Sequence, residues 1–165
     1  MLLLTFRAAG QRYAVDAARV VEVVPRVRLR PLPHAPAHLA GVLEYRGEVV
    51  SVVDVGILLG GPAAAERLST RIILVDRTPP APARPRDGAD ARARAPSRRS
   101  LLGLVAENVD DLAPIDPDAL TPSPVSIPDA PYLGGLVETG GGLVQFLLVD
   151  RILEATPRAG TASRD

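Results

Sequence analysis

The two histidines, His34 and His38, are the first place to look for chemistry. Their i, i+4 spacing would put both on one helix face, where two ligands can share a metal. Pro36 lies between them and no Glu follows His34, so the spacing lacks the zincin pattern. Two solvent-facing loop histidines are the simpler reading. No GxSxG elbow exists to expose a serine nucleophile. Gly140, Gly141 and Gly142 follow an apolar run, but they open no helix and precede no Lys-Ser/Thr pair, so they do not cradle phosphate. Asp110-Asp111 and Asp116/Asp118 are paired only in sequence, on a solvated strand end and a proline-rich crossing. The chain has no cysteine, which removes disulfides, thiolate–zinc sites and thiol catalysis. No catalytic, cofactor-binding or metal-binding residue is assigned, and the expectation is a protein that is not an enzyme. What remains is Arg46. Tyr45 precedes it, and Gly41 and Gly47 strip the surrounding surface of side chains. Arg and Tyr are common anchors of protein interfaces.

Arg46 is set in the stretch Gly41–Leu59, GVLEYRGEVVSVVDVGILL. Two β-branched runs split by a Gly-containing turn predict a hairpin, with Arg46 on the strand end just before the turn. Gly47 can take φ > 0, and Asp54 can cap the short segment Val55–Leu59. The chain has 165 residues, 47% of them hydrophobic but only 3% aromatic, so its core must be aliphatic. Branched aliphatics lean toward strands. The formal net charge of +0 argues against a general polyanion binder. No apolar run reaches a membrane span, and Met1–Leu4 meets Thr5 and Arg7 without a basic lead, so no signal peptide is predicted. The expected location is the cytoplasm.

In order, Leu2–Arg7 and Arg12–Val15 predict a first hairpin, and Val20–Val24 a strand ended by Pro25. Pro31–Pro36 must be extended, with one helical turn over Ala37–Leu39. Thr70–Asp76 and Leu101–Ala106 read as strands. Between them Arg77–Ser100 is rich in Pro, Ala and Arg and lacks aliphatic core formers, so a disordered insert at a hairpin tip is predicted. Its arginines Arg84, Arg86, Arg92, Arg94, Arg98 and Arg99 would suit an anion-binding arm. No aromatic is interleaved for base stacking, so a solvated loop is favoured over nucleic-acid binding. A last hairpin surrounds Gly140–Gly142, a short helix covers Asp150–Leu153, and a disordered tail follows at 158–165. The chain also repeats itself. Pro33-His34-Ala35-Pro36 and Gly41–Val50 match Pro128-Asp129-Ala130-Pro131 and Gly135–Val144, with Gly140 standing where the first copy has Arg46. Each half is too small to sustain a core alone, so the halves must pack together or exchange strands.

These residues resemble the CheW family of chemotaxis coupling proteins. The likeness rests on Tyr13, Val15, Val20, Glu22 and Val23. It continues through Pro36, Leu39, Gly41, Val42, Tyr45-Arg46-Gly47, Val49-Val50 and Val52-Val53-Asp54, then Leu102–Val105 and Val109–Leu112. It spans the chain from Leu2 to Leu153 apart from the insert. The resemblance implies an all-β fold of two five-stranded SH3-like barrels side by side within a single domain over 1–157. It implies a non-catalytic scaffold without cofactor. Its partners would be the regulatory domain of a CheA-type histidine kinase and the cytoplasmic tip of methyl-accepting chemoreceptors, with no nucleic acid and no membrane insertion of its own. Partner contacts would fall on Val20, Glu22, Gly41, Tyr45, Arg46, Gly47 and Gly103. Glu44 and Ser51 replace the family's Asn and Pro, and the run RLSTRIILVD is similar to couplers of alternative chemosensory pathways.

Overall fold

A computed structural model describes residues 1–78 and 99–152. The chain enters as β1 (Leu2–Ala8) and β2 (Gln11–Asp16). The Asp16 carboxylate caps a 3-10 turn over Ala17–Arg19 by accepting the Ala18 N–H, and β3 (Val20–Pro25) follows. An extended crossing leads to β4 (Leu39–Tyr45), β5 (Glu48–Asp54) and the one-turn α1 (Val55–Leu58). Next come β6 (Arg71–Asp76) and the long β7 (Leu101–Pro114). A second crossing leads to β8 (Leu133–Thr139), β9 (Gly142–Leu147) and α2 (Val149–Ile152).

β7 is the shared spine. Its first half, Leu101–Ala106, pairs with β6 on one side and, in parallel, with β5 on the other. Its second half, Glu107–Pro114, pairs with β1. One lobe is therefore β3-β6-β7-β5-β4 and the other β7-β1-β2-β9-β8. This decides between packing and exchange. β1 and β2 lie in the first half of the chain but build the second repeat's lobe, while the start of β7, in the second half, builds the first repeat's lobe. The all-β class is as expected, with one correction. Among the described residues, nine strands form one hydrogen-bonded sheet, a seven-strand path from β3 to β8 with β5 and β4 branching from β7, rather than two closed barrels. The outer strands β4 and β8 each receive an isolated bridge, Arg30 to Val42 in one lobe and Thr121 to Leu136 in the other.

Alternation explains the core. In β6, Ile72 and Leu74 face one apolar cluster with Leu43, Val50, Val52 and Val105. Ile73 and Val75 face the opposite, larger cluster, which holds Phe6, Val15, Val53, Leu104, Leu147 and Ile152. Successive strand side chains point to opposite faces, so a strand buried on both faces must be apolar without interruption. TRIILVD is such a strand, and Ile72 through Val75 are fully buried. The larger cluster draws residues from both repeats, and each fully buried aliphatic contributes roughly 1.5–3 kcal/mol. Removing either half of the chain would leave it about half empty.

The strands that flank the insert are antiparallel neighbours: Asp76 pairs with Leu101, and Arg77 N–H donates to Ser100 O at 2.6 Å. The bulk of the insert, with its predicted disorder, and the C-terminal tail lie outside the described residues.

Candidate functional site

The β4–β5 hairpin closes Tyr45 directly against Glu48, leaving Arg46 and Gly47 as a two-residue turn. Both have positive φ, 48° and 80°. That is the type I′ signature, whose twist matches that of the flanking strands. Arg46 thus sits within the turn rather than before it, which corrects the sequence reading. Its backbone occupies a region that L-residues visit at some cost, and Gly47 beside it bears none.

The turn projects Arg46 outward, with its side chain 79% exposed; two contacts engage it, and a third joins its two partners. Its guanidinium carbon lies 5.2 Å from the centre of the Tyr45 ring, a cation–π arrangement. Its Nη2 lies 3.7 Å from Glu22 Oε2, and the Tyr45 hydroxyl donates to that same oxygen. The hydrogen bond to Glu22 raises the Tyr45 phenol above its ordinary value. Glu22 lies on β3, so one carboxylate ties the outermost strand of the lobe to the tip of its hairpin. Val49, the next residue but two after the turn's arginine, is 68% exposed beside this cluster in sequence.

The other expected contact residues are elsewhere. Val20 opens β3 half-buried and packs on the large core. Gly41 is buried with φ +146°, and a Cβ there would stand 2.5 Å from Arg30 O. It is the residue that lets the crossing reach β4. Gly103 is buried in β7, where a Cβ would stand 3.0 Å from both Ile72 and Val52. These two glycines act through packing. Glu22, Tyr45, Arg46 and Gly47 are the ones brought to one place.

The residues set aside in the sequence have structural duties. Asp54 is buried and accepts hydrogen bonds from Ile57 N–H at 3.2 Å and Ala64 N–H at 3.0 Å, capping α1 as expected and also anchoring the next loop. Asp116 caps the turn at Pro117–Ala119. His34 is exposed at φ 60°. His38 corrects its solvent-facing expectation: its Nε2 is buried without a partner among the described residues. Leu39 N–H donates to Pro36 O, closing a turn where one helical turn was predicted. No group of three or more His, Cys, Asp or Glu side chains among the described residues could hold a metal. No helix among them is long and apolar enough to cross a membrane.

Sequence reasoning missed Arg12. This β2 residue donates to Thr139 Oγ1 at 3.3 Å and covers Gly141, so the second hairpin tip receives a guanidinium from another strand. No local pattern signals that, because the two segments are neighbours only through strand exchange.

Fold and site together define an all-β domain of two interleaved lobes, each ending in a two-residue hairpin tip, one of them armed with a fixed, exposed arginine. The chain belongs to the CheW family: the CheW-like domain model matches residues 2–156. It is 26% identical to the chemotaxis protein CheW of Rhizobium meliloti, over 94% of this chain and 89% of that one. It is 24% identical to the chemotaxis protein CheW of Thermotoga maritima, over 92% and 87%. A shorter stretch, 30% of this chain and 31% of the relative, is 41% identical to protein FrzA of Myxococcus xanthus. The crystal structure of the scaffolding protein TtCheW from Thermoanaerobacter tengcongensis has the same fold, with a TM-score of 0.71 at 23% identity over 90% of this chain and 84% of that one.

Proposed function

We propose that this chain is a cytoplasmic, non-catalytic adaptor. It joins the regulatory domain of a CheA-type histidine kinase to the cytoplasmic tip of a methyl-accepting chemoreceptor. Residues 1–157 act as one unit. The observation that carries this reading is the Glu22–Tyr45–Arg46 cluster. An arginine held by an aromatic face and a carboxylate has little side-chain freedom left to lose on binding. Exposed Val49 supplies apolar area beside it, and Arg with Tyr is the composition of interface anchors. The charged rim orients the partner, and the aliphatic surface between the lobes takes the apolar face of a receptor helix.

The test is binding of purified chain to a receptor-tip fragment and to a kinase regulatory fragment, by calorimetry. Arg46→Glu should weaken receptor binding by about tenfold or more, the scale of a lost anchor. Its circular dichroism and melting curve should match those of the unmodified chain. Undiminished binding by that variant removes Arg46 from the interface, and a chain that binds neither fragment ends the adaptor reading.

A further inference from the structure

Past the end of β3, the chain runs through Arg26, Val27, Arg28 and Leu29 before Arg30 bridges to Val42. With Glu66, Arg67 and Leu68 from the loop before β6, and Ala40 of β4, this segment lines an open groove of about 700 Å³. Three features of it have no role in the fold. First, it holds three guanidinium groups against one carboxylate. Glu66 is engaged by Arg26 Nη1 at 2.8 Å, while Arg26 Nε is buried with no acceptor among the described residues. Second, it exposes aliphatic side chains: Leu68 is 94% exposed and Val27 48%. Third, Val27, Arg28 and Leu29 make no backbone hydrogen bond among the described residues, although the chain there is extended between a strand and a bridge.

The opposite wall is fixed rather than loose. Ala64 N–H donates to the Asp54 carboxylate, Ala65 N–H to Glu107 at 2.5 Å, and the buried Thr70 hydroxyl to Ala65 O. Arg67 and Leu68 are therefore presented from a preorganised backbone, which lowers the ordering cost of a complex. The other lobe has a groove beside its own bridge, lined by Pro122, Ser123, Val125, Ser126, Ile127 and Gly134 among others, and no charged side chain lines it. The basic lining is particular to one lobe.

We propose that this groove binds an acidic, extended peptide segment of a partner protein. Its carboxylates pair with Arg28 and Arg67, its backbone adds to the unpaired 27–29 segment as a short strand, and its apolar side chains lie on Val27 and Leu68. An extended peptide supplies all three complements together. A nucleic acid would supply only charge, and no aromatic side chain lines the groove to stack a base. The site stands apart from the Arg46 tip, which is at the far end of β4, and its test does not depend on the adaptor reading.

The probe is a fluorescein-labelled peptide of about eight residues alternating Glu and Val, followed by anisotropy with the full chain. Binding should saturate, weaken with added salt, and fall about tenfold in the double variant Arg28→Glu/Arg67→Glu, as expected for two lost ion pairs turned repulsive. Val27→Pro, which deletes a backbone donor, should weaken it while leaving the charge untouched. The matching peptide with Lys for Glu should not bind. Arg28 and Arg67 are exposed, so the fold should survive their change. Should the double variant melt early, Arg67→Gln alone carries the test, with an expected loss of about threefold. Equal binding by the charge-reversed chain, equal binding of the Lys peptide, or tighter binding of single-stranded oligouridylate than of the acidic peptide each overturns the proposal.

Discussion

The two crossing-and-hairpin units make the most instructive comparison in the molecule. One constant spacing maps Pro36 to Ala130, His38 to Tyr132, Arg46 to Gly140, Asp54 to Leu148 and Leu58 to Ile152, which shifts by one residue the sequence match of Pro33–Pro36 with Pro128–Pro131. The backbone obeys it closely. Leu39 N–H donates to Pro36 O as Leu133 N–H does to Ala130 O, and Asp54 N–H donates to His38 O as Leu148 N–H does to Tyr132 O, both at 2.8 Å. Gly41 and Gly135 each admit a crossing strand so near that a Cβ would strike its carbonyl, at 2.5 and 2.9 Å. Yet the side chains have parted. The first unit has the arginine tip, the buried capping Asp54 and a guanidinium-lined groove. The second has a glycine tip served by Arg12, an uncharged groove, and Tyr132 reaching across to donate to Leu58 O at 2.8 Å. Backbone geometry is what a pair of lobes must share to mate. Side chains outside that geometry are free to specialise, and those of the first unit carry the charge.

The shared glycines are the positions where the two units should respond most strongly to substitution. Gly41→Ala combines a backbone clash with an unfavourable φ and should cost roughly 3 kcal/mol or more by urea denaturation. Gly135→Ala meets a slightly wider gap without the positive φ, so its cost should be about half that. Equal costs would mean that the positive φ and closer approach at Gly41 carry no extra penalty. Next, Asp54→Ala removes a cap and leaves the Ala64 N–H without its acceptor, for about 2 kcal/mol. Leu148→Ala, at the matching position, should cost under about 1 kcal/mol, since that side chain is 36% exposed.

A smaller effect, about 1 kcal/mol, is expected from Tyr132→Phe, which deletes one hydrogen bond between the lobes. Burial raises the Tyr132 and Tyr13 phenols above their ordinary 10.0. A raised value favours the neutral form in the folded chain, so their contribution is complete below about pH 10 and is lost as pH rises through the folded values. Thermal melts should therefore be flat in this respect up to about pH 10 and fall beyond it, less steeply in Tyr132→Phe. The least change in stability should come from Arg46→Gly, within about 0.5 kcal/mol, because the residue is exposed and glycine suits its φ. That variant makes the first tip resemble the second. If it also binds the receptor fragment normally, the difference between the tips has no bearing on partners.

Much of this was legible in the residues. The hairpins, the aliphatic core, the capping Asp54 and the internal repeat all follow from short-range rules of alternation, turn chemistry and capping. So does the pairing of Tyr45 and Arg46, since neighbours in a tight turn cannot part. Glu22 joining them was suggested only by resemblance, and the roles of Gly41 and Gly103 as spacers were not visible at all. A glycine looks the same whether it bares a surface or admits a neighbouring strand.

Residue types and their spacing suffice to make this an all-β chain built twice over, with one arginine at the tip of a hairpin. Those properties depend on residues a few positions apart. Folding adds what no local pattern holds: the halves of the chain exchange strands through β7, Arg12 serves the second hairpin tip, and Arg26, Arg28 and Arg67 converge on one groove. Such pairings join segments distant in sequence. The hydrophobic effect rewards any arrangement that buries enough apolar surface, and which arrangement wins is settled by the mutual fit of all nine strands at once.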